Sequence, residues 1–228
     1  STPYFIAGAM PVYNGPNWYT SADTGLDGVS GNGSETYPFK TISRALQAVY
    51  ASAITTGETI YVYKGTYTEA VVIDTDNVSI IGADSDGVNS TIIDPAGTYF
   101  ILNLYGISAV NRTNLRIANL HITSCYSGIY FNNVDTSIIE NVTIDTCQNS
   151  SGGGIYIYNG SCSNLIQNCY LNRNYYGIYF NNTSNSNTVN NNKIISNTVG
   201  CYLITNSNYN IFNNNIVNKF NCFRNFLS

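Results

Sequence analysis

The sequence predicts an all-β solenoid, in which short strands stack coil upon coil behind one N-terminal amphipathic helix. One pattern returns five times in the second half of the 228-residue chain. Its apolar residues alternate with polar ones over short runs, as in β-strands, and Asn, Gly and Ser separate the runs. A unit of about 23 residues cannot bury its own apolar face, whereas units stacked in register bury a continuous core.

The repeat is clearest when one asparagine of each unit is placed in a column. Steps of 22, 27, 23 and 23 residues separate these asparagines, which are Asn119, Asn141, Asn168, Asn191 and Asn214. An apolar residue stands two positions before and three positions after each of them. If they occupy the same bend of every coil, their side-chain amides bond one another, because a buried amide without a partner costs about 1–3 kcal/mol. We therefore expect a buried structural asparagine ladder.

Each of the first four repeats continues into a glycine and a short apolar strand that contains a tyrosine. Strand alternation turns this tyrosine to solvent, between two inward apolar residues. The column consists of Tyr130, Tyr156, Tyr179 and Tyr202. We expect a flat aromatic stripe on the surface, which suits sugar faces or a partner protein and equally suits simple stacking between coils.

The first half of the chain predicts a cap over the first coil. Residues 40–53 have helical periodicity, and the following apolar side chains share one face: Ile42, Leu46, Val49, Tyr50 and Ala53. Such a helix would cover the apolar end of the stack, as terminal repeats must.

The chain divides into three parts on this interpretation. Residues 1–17 are an N-terminal extension, residues 18–70 the cap, and residues 71–228 the coils, with regular repeats from about residue 111. We expect the last coil to lack a cap, so that its unpaired backbone groups are a template for another chain. The extension would then pair with the open end of a neighbour, and this self-association would propagate into a filament.

Two stretches resemble the N-terminal cap of right-handed parallel β-helix proteins. They are residues 37–46, Tyr-Pro-Phe-Lys-Thr-Ile-Ser-Arg-Ala-Leu, and residues 57–69, Gly-Glu-Thr-Ile-Tyr-Val-Tyr-Lys-Gly-Thr-Tyr-Thr-Glu. The Asn-Gly repeats are similar to the coils of the same pectate-lyase-like superfamily. The resemblance, over roughly residues 18–228, implies a right-handed single-stranded parallel β-helix. It does not imply one activity, since the superfamily contains lyases, hydrolases, phage tailspikes and adhesins.

Composition narrows the location and the partners. Charged residues are 10% of the chain and the net charge is −4. Nucleic-acid binding needs clustered Lys and Arg, so we expect no nucleic-acid partner. No apolar run approaches the roughly 18 residues of a membrane span, so we expect no membrane-spanning segment. Few lysines, many Tyr, Asn and Thr, and an even number of cysteines, six, favour a secreted or cell-surface protein.

The titratable residues of the regular coils are few and far apart. Lyases that resemble this chain need carboxylates that hold calcium and an Arg or Lys base, and related hydrolases need grouped Asp residues. Here His121 and Lys193 share an outward column but are three coils apart, about 14 Å. Glu140 and Asp145 have no acidic neighbour on adjacent coils. We therefore expect no catalytic residues.

These observations favour a non-catalytic extracellular structural or adhesive protein. A first alternative is a polysaccharide lyase or another carbohydrate-active enzyme. A second alternative is a carbohydrate-binding or tailspike-like module, so an extracellular polysaccharide is a candidate partner.

Acidic residues in the first half of the chain are candidate calcium ligands. Asp23 and Asp27 lie in a loop rich in Gly and oxygen donors, and the remaining candidates are Asp74, Asp76, Asp84 and Asp86. Asp is also a common turn and cap residue, which explains the same positions without a metal.

Nine Asn-x-Ser/Thr sequons allow glycosylation of a secreted protein. Asn141 belongs to the expected ladder and should be unmodified, and the other eight are Asn32, Asn77, Asn89, Asn111, Asn149, Asn159, Asn181 and Asn182.

Two cysteines, Cys125 and Cys147, both follow their column asparagine by six residues, which puts them about 4.8 Å apart on adjacent coils. Side-by-side stacking is poor geometry for a disulfide, so we expect a pair of free, slowly reacting thiols.

Overall fold

The computed structural model describes residues 12–28, 30–52, 54–85, 90–95, 104–218 and 220–222. Within these ranges there is one helix, α1 (Ile42–Ser52), and the following strands precede the regular repeats: β1 (Asn17–Thr20), β2 (Glu58–Val62), β3 (Gly65–Tyr67), β4 (Val71–Ile73), β5 (Val78–Gly82) and β6 (Thr91–Ile93). The strands of the repeats are β7 (Tyr105–Thr113), β8 (Arg116–Ala118), β9 (His121–Thr123), β10 (Ser127–Asp135), β11 (Ile138–Glu140), β12 (Thr143–Asp145), β13 (Gly153–Tyr158), β14 (Leu165–Gln167), β15 (Tyr170–Asn172), β16 (Tyr176–Phe180), β17 (Thr188–Asn190), β18 (Lys193–Ile195), β19 (Val199–Leu203), β20 (Ile211–Asn213), β21 (Ile216–Val217) and β22 (Phe220–Cys222).

The described strands form three parallel sheets, and each regular coil contributes one strand to each sheet. The eight-stranded sheet has the order β1-β2-β5-β8-β11-β14-β17-β20. What we call the histidine sheet has the order β3-β6-β9-β12-β15-β18-β21, and the tyrosine sheet has the order β4-β7-β10-β13-β16-β19-β22. The prediction of an all-β parallel solenoid with a short N-terminal helix is confirmed.

The core is a stack of inward aliphatic columns in the predicted repeat register. In the eight-stranded sheet Ile117 pairs with Ile139, and Val189 pairs with Phe212. Ile117, Ile139 and Val189 are fully buried, as branched aliphatic side chains pack well on a pleated surface. Each such side chain contributes about 1.5–3 kcal/mol through burial. In the last coil, however, Phe212 and Val217 are only half-buried.

Helix α1 packs on the first coils through most of the side chains that the sequence predicts for its apolar face. Ile42, Leu46 and Val49 are buried. Tyr50 is 71% exposed, so its assignment to the buried face is wrong. The reason is helical geometry: Ile42, Leu46 and Val49 fall within one stripe, and Tyr50 lies one step of about 100° beyond Val49. Ala53 lies outside the described residues.

Two carboxylates from distant segments hold the N-terminus of α1. The Asp27 carboxylate accepts hydrogen bonds from the backbone N–H groups of Lys40 at 2.7 Å and Thr41 at 3.0 Å. The Glu69 carboxylate accepts those of Ile42 at 2.8 Å and Ser43 at 2.9 Å. These N–H groups have no partner within the helix, and negative charge at this end also suits the helix dipole.

The predicted asparagine column lies at an outer corner of the coils and not in the core. Each of its five asparagines has a φ in the left-handed region, which Asn tolerates: 57° at Asn119, 52° at Asn141, 54° at Asn168, 54° at Asn191 and 53° at Asn214. Asn119 is half-buried and the other four are exposed. The expectation that these amides are buried is therefore wrong, because the corner between the eight-stranded and histidine sheets turns them outward. Asn141 Nδ2 still donates to Asn119 Oδ1 at 3.3 Å.

Buried amide ladders do exist, at other positions of the coil. Asn164 Nδ2 donates to Asn187 Oδ1 at 3.0 Å, and Asn187 Nδ2 donates to Asn210 Oδ1 at 3.0 Å. A second ladder joins Asn192 Nδ2 to Asn215 Oδ1 at 2.9 Å, one residue after the predicted column. These ladders satisfy amides that the core would otherwise leave unpaired.

The ends of the chain bear on the expected assembly. Residues 1–11 and 223–228 lie outside the described residues, so pairing of the extension with an open end stays a prediction. Within the described ranges, no helix combines the length and the hydropathy that crossing a bilayer requires.

Candidate functional site

The outward side of the histidine sheet carries a column of polar side chains along the solenoid axis. We call this surface the histidine face. Strand pairing aligns His121 with Thr143, Thr143 with Tyr170, and Tyr170 with Lys193. Strands of a sheet are about 4.8 Å apart, so an extended ligand that lies along the axis meets one of these side chains at every coil.

One carboxylate organises the first part of the histidine face. Asp145 ends β12, and its Oδ1 lies 3.4 Å from His121 Nε2 on the coil before. The same oxygen accepts the hydroxyl of Thr123 at 2.7 Å. On the coil after, Arg173 Nη2 lies 2.9 Å from Asp145 Oδ2. A histidine, a carboxylate and a guanidinium from three successive coils therefore meet at Asp145.

The electrostatics of this cluster keep Asp145 ionised. Burial alone would raise the pKa of the Asp145 carboxyl, but the nearby His121 imidazole and the hydrogen bonds from Thr123 and Arg173 outweigh it, so the pKa lies well below its usual value. Arg173 remains 58% exposed and engages Asp145 through one nitrogen. The guanidinium has five N–H donors, so others are available to a ligand.

The second part of the histidine face is a cleft of about 540 Å³. Its lining consists of Ser85, Val142, Thr143, Asn168, Cys169, Tyr170, Asn191 and Lys193. Lys193 is the one charged residue among these lining residues. Its Nζ lies 5.1 Å from the centre of the Tyr170 ring, a cation–π contact that holds the ammonium over the cleft.

A second coil carboxylate, Glu140, has a structural role. It lies on the eight-stranded sheet, where Arg116 Nη2 is 2.6 Å from Oε1 and Gln167 Nε2 donates to Oε2 at 2.8 Å. Burial opposes ionisation, but the bonds from Gln167 and Arg116 lower the pKa of Glu140 overall. Glu140 and Asp145 belong to different sheets of the same coil.

The outward side of the tyrosine sheet is a dense group of rings, which we call the tyrosine face. Its members are Tyr105, Tyr130, Tyr156, Tyr158, Tyr176, Tyr179 and Tyr202. The four predicted tyrosines are in register along β10, β13, β16 and β19. Tyr179 is 8% exposed and the other three are half-buried.

The rings of the tyrosine face stack against one another along the axis. Tyr105 and Tyr130 have centroids 4.3 Å apart and planes 9° apart, and for Tyr156 and Tyr179 the values are 4.6 Å and 8°. Such pairs leave no room for a sugar between the rings. The expectation of a flat stripe that offers ring faces therefore needs correction, because within the pairs stacking covers the faces.

A comparison with protein-family models matches residues 52–217 to the right-handed β-helix region. The chain belongs to the right-handed β-helix family. Among curated proteins, nothing matches the sequence significantly.

Solved structures share the fold of this β-helix at low sequence identity. An alginate lyase from Paenibacillus sp. str. FPU-7 is 14% identical with a TM-score of 0.62, and the match covers 86% of this chain and 65% of the lyase. A candidate glycosyl hydrolase from Parabacteroides merdae is 16% identical with a TM-score of 0.63, over 88% of this chain and 95% of the other. Pectin methylesterase PemA from Erwinia chrysanthemi is 15% identical with a TM-score of 0.53, over 80% of this chain and 62% of PemA. These likenesses show the fold alone.

Three of the candidate calcium ligands of this β-helix, Asp27, Asp76 and Asp84, have other partners. Both oxygens of Asp27 accept hydrogen bonds at α1, the second from the Thr41 hydroxyl at 2.6 Å, so this carboxylate acts as a helix cap. Asp76 accepts the Thr113 N–H at 2.9 Å, and Asp84 accepts the Ser85 N–H at 2.7 Å. Asp86 lies outside the described residues. Among the residues that the structure describes, no group of three or more His, Cys, Asp or Glu is placed to hold a metal ion.

Several sequon asparagines of the β-helix are tied to neighbouring amides. Asn133 donates to Asn111 at 2.8 Å, and Asn182 donates to Asn159 at 3.1 Å. Asn89 lies outside the described residues. Glycosylation of the sequons stays a prediction.

The repeat pattern by itself does not pair His121 with Asp145. Its columns align equivalent positions of successive coils, whereas His121 begins one strand and Asp145 ends the next. The register itself contains the signal, since it puts Thr123 opposite Asp145 on adjacent strands. Two positions along a strand are within reach of a histidine side chain.

Proposed function

We propose that this β-helix is an extracellular polysaccharide-binding protein that holds a carboxylate-bearing polysaccharide along the histidine face. The observation that carries the proposal is Lys193, the single charged residue lining its cleft. A sugar carboxylate pairs with this ammonium, while the amides of Asn168 and Asn191 bond sugar hydroxyls. Tyr170 fixes the ammonium in advance, so binding costs less side-chain entropy.

The polysaccharide extends from the cleft towards Asp145. Thr143 offers a hydroxyl in the cleft lining, and the exposed Arg173 guanidinium reaches from the coil of Tyr170 to Asp145. His121 lies one coil before Thr143. Lys193 and the Arg173 guanidinium place two cationic groups on adjacent coils of this face, which suits a chain that carries an acidic group on many of its sugars. Because these contacts are exposed, we expect the affinity to fall as salt rises.

Fold relatives support this class of ligand. The solved structures with this fold include proteins named for alginate, pectin and rhamnogalacturonan. An extracellular or cell-surface location accords with a polysaccharide ligand and with the low content of charged residues.

Catalysis is a second candidate function, favoured by the contact of His121 with Asp145. A histidine that a carboxylate orients is a suitable general base. It would take the proton next to the sugar carboxylate, a double bond would form in the ring, and the glycosidic oxygen would leave with its electron pair and gain a proton. Such elimination yields an unsaturated sugar that absorbs ultraviolet light.

The test is affinity electrophoresis and calorimetry of the full chain with alginate and polygalacturonate. We expect Lys193→Gln to weaken binding by up to about fivefold, the value of one exposed ionic contact. The matched control is Lys40→Gln, which removes the same charge beside α1 and should bind as the wild type does. Absence of wild-type binding, or equal loss in both variants, contradicts the proposal. Ultraviolet absorbance of the same mixtures separates binding from elimination.

A further inference from the structure

We propose that the tyrosine face is a second carbohydrate site, which binds a neutral polysaccharide through tyrosine hydroxyls. It lies on a different sheet from the histidine face, and its ligand has a different charge. The proposal is therefore independent of the function proposed above.

The tyrosine face has no charge for an ionic ligand to meet. The segments that carry the stacked rings, residues 105–110, 127–132, 153–158, 176–181 and 199–204, contain no Asp, Glu, Lys, Arg or His. The charged residues Arg112 and Asp135 lie near the C-terminal ends of β7 and β10, beyond these segments. A charged polymer that docks there would lose water without gaining a counter-charge, which is costly. Charge complementarity therefore favours an uncharged ligand.

Stacking makes the rings of this face rigid before any ligand arrives. Besides the pairs Tyr105–Tyr130 and Tyr156–Tyr179, the rings of Tyr176 and Tyr202 have centroids 5.0 Å apart and planes 5° apart. A rigid surface loses little conformational entropy on binding, which is one reason why tyrosine is common in binding sites.

One amide donates to two tyrosine hydroxyl oxygens. Asn181 Nδ2 donates to Tyr156 Oη at 3.3 Å and to Tyr179 Oη at 3.1 Å. Since both oxygens accept from Asn181, each phenol keeps its own O–H to donate elsewhere. Burial raises the pKa of Tyr156 to about 12, and burial also raises that of Tyr179, so both remain protonated donors at physiological pH.

A neutral polysaccharide fits these donors better than a protein does. Its hydroxyl and ring oxygens repeat along an extended chain, and the tyrosine hydroxyls repeat from coil to coil at about 4.8 Å. A protein partner would need apolar anchors near the centre of the patch. The described aliphatic side chains that are well exposed here, Val72 and Val110, belong to β4 and β7, away from the Asn181 pair.

The experiment compares two substitutions that keep the rings. Tyr156→Phe with Tyr179→Phe removes both donors and retains stacking, and Tyr61→Phe is the matched control. Tyr61 stacks on Tyr19 at 5.3 Å in the eight-stranded sheet. Affinity electrophoresis uses mixed-linkage glucan, galactomannan and starch as neutral probes, with polygalacturonate as the acidic comparison.

We expect a neutral probe to bind the wild type and the Tyr61→Phe variant, and to bind the double variant about tenfold more weakly. Binding of polygalacturonate should be equal in all three proteins, so a failure of the histidine face is recognised separately. The proposal is overturned if no neutral probe binds the wild type or if the double variant binds normally. Sedimentation that shows a dimer lost in the double variant would assign the face to a protein contact instead.

Discussion

Replacing Asn187 with leucine tests whether the buried amide ladder stabilises the coils. Asn187 is fully buried and its side chain makes four hydrogen bonds. Its Oδ1 accepts the backbone N–H and the Nδ2 of Asn164, both at 3.0 Å. Its Nδ2 donates to Asn210 Oδ1 at 3.0 Å and to the Ser161 carbonyl at 3.1 Å. Leucine has a similar volume and can make none of these bonds.

The cost follows from the groups that Asn187→Leu would leave without this partner. Asn164 Nδ2 keeps its bond to the Val134 carbonyl, and Asn210 Oδ1 keeps the backbone N–H of residue 187. The Asn164 N–H and the Ser161 carbonyl lose the side-chain partner. Each buried polar group left unpaired costs about 1–3 kcal/mol, so we expect a loss of about 2–6 kcal/mol. For a chain of this size that corresponds to a fall in Tm of at least about 4 °C.

The matched variant is Asn168→Leu, at an exposed corner. Its side chain meets water, so the change should cost about 1 kcal/mol, from the left-handed φ of 54°. Urea unfolding by circular dichroism, with refolding checked, gives both midpoints. Equal midpoints for the two variants would refute the assignment of the stabilising ladder to the Asn187 column.

Three further outcomes are expected. Asp145→Asn should lower the urea midpoint at pH 7, and the difference from the wild type should shrink below about pH 4. The reason is that the Asp145 pKa is lower in the folded state than in the unfolded state, so ionised Asp145 loses its stabilising effect as the pH falls below the pKa of the unfolded state. A difference that is constant with pH would contradict this. Cys125 and Cys147, whose Sγ atoms are 2.8 Å apart, should react slowly with an alkylating reagent in the folded protein, because burial raises the pKa of Cys125. After denaturation they should react completely without reductant, and a requirement for reductant would show a disulfide. Because Phe212 and Val217 are half-buried in the last described coil, the protein should self-associate at high concentration. Val217→Lys should suppress this self-association, as measured by light scattering. A monodisperse wild-type monomer would disprove the prediction.

The solenoid was predictable because its signals recur in every coil. The inward aliphatic columns and the glycine-tyrosine strands fix the register, since a shift of one residue would turn every apolar side chain outward. The asparagine ladder was misplaced because Asn suits both a left-handed corner and a buried column. Adjacent positions such as Asn191 and Asn192 carry the same residue type, with opposite orientations. Leu120 and Val142 occupy the second position in earlier coils, and they were the signal that this position points inward.

The candidate site was less predictable than the fold. His121, Asp145 and Arg173 come from three coils and different strand positions, so no single column brings them together. The orientation of the tyrosine rings depends on packing between neighbouring side chains. Alternation predicts which way a residue points, but it does not predict whether a ring presents its face or its rim.

The repeat of 27 residues, between Asn141 and Asn168, shows that a loop can lengthen without a shift in strand register. Between β12 and β13 the chain makes a self-contained turn, in which the Gly152 N–H donates to the Asn149 carbonyl at 3.0 Å. The strands on both sides keep their pairing, with Thr143 opposite Tyr170 and Ile155 opposite Ile178. Peptides grafted between residues 149 and 152 should therefore leave the stack intact, which makes this corner a display position beside the tyrosine sheet.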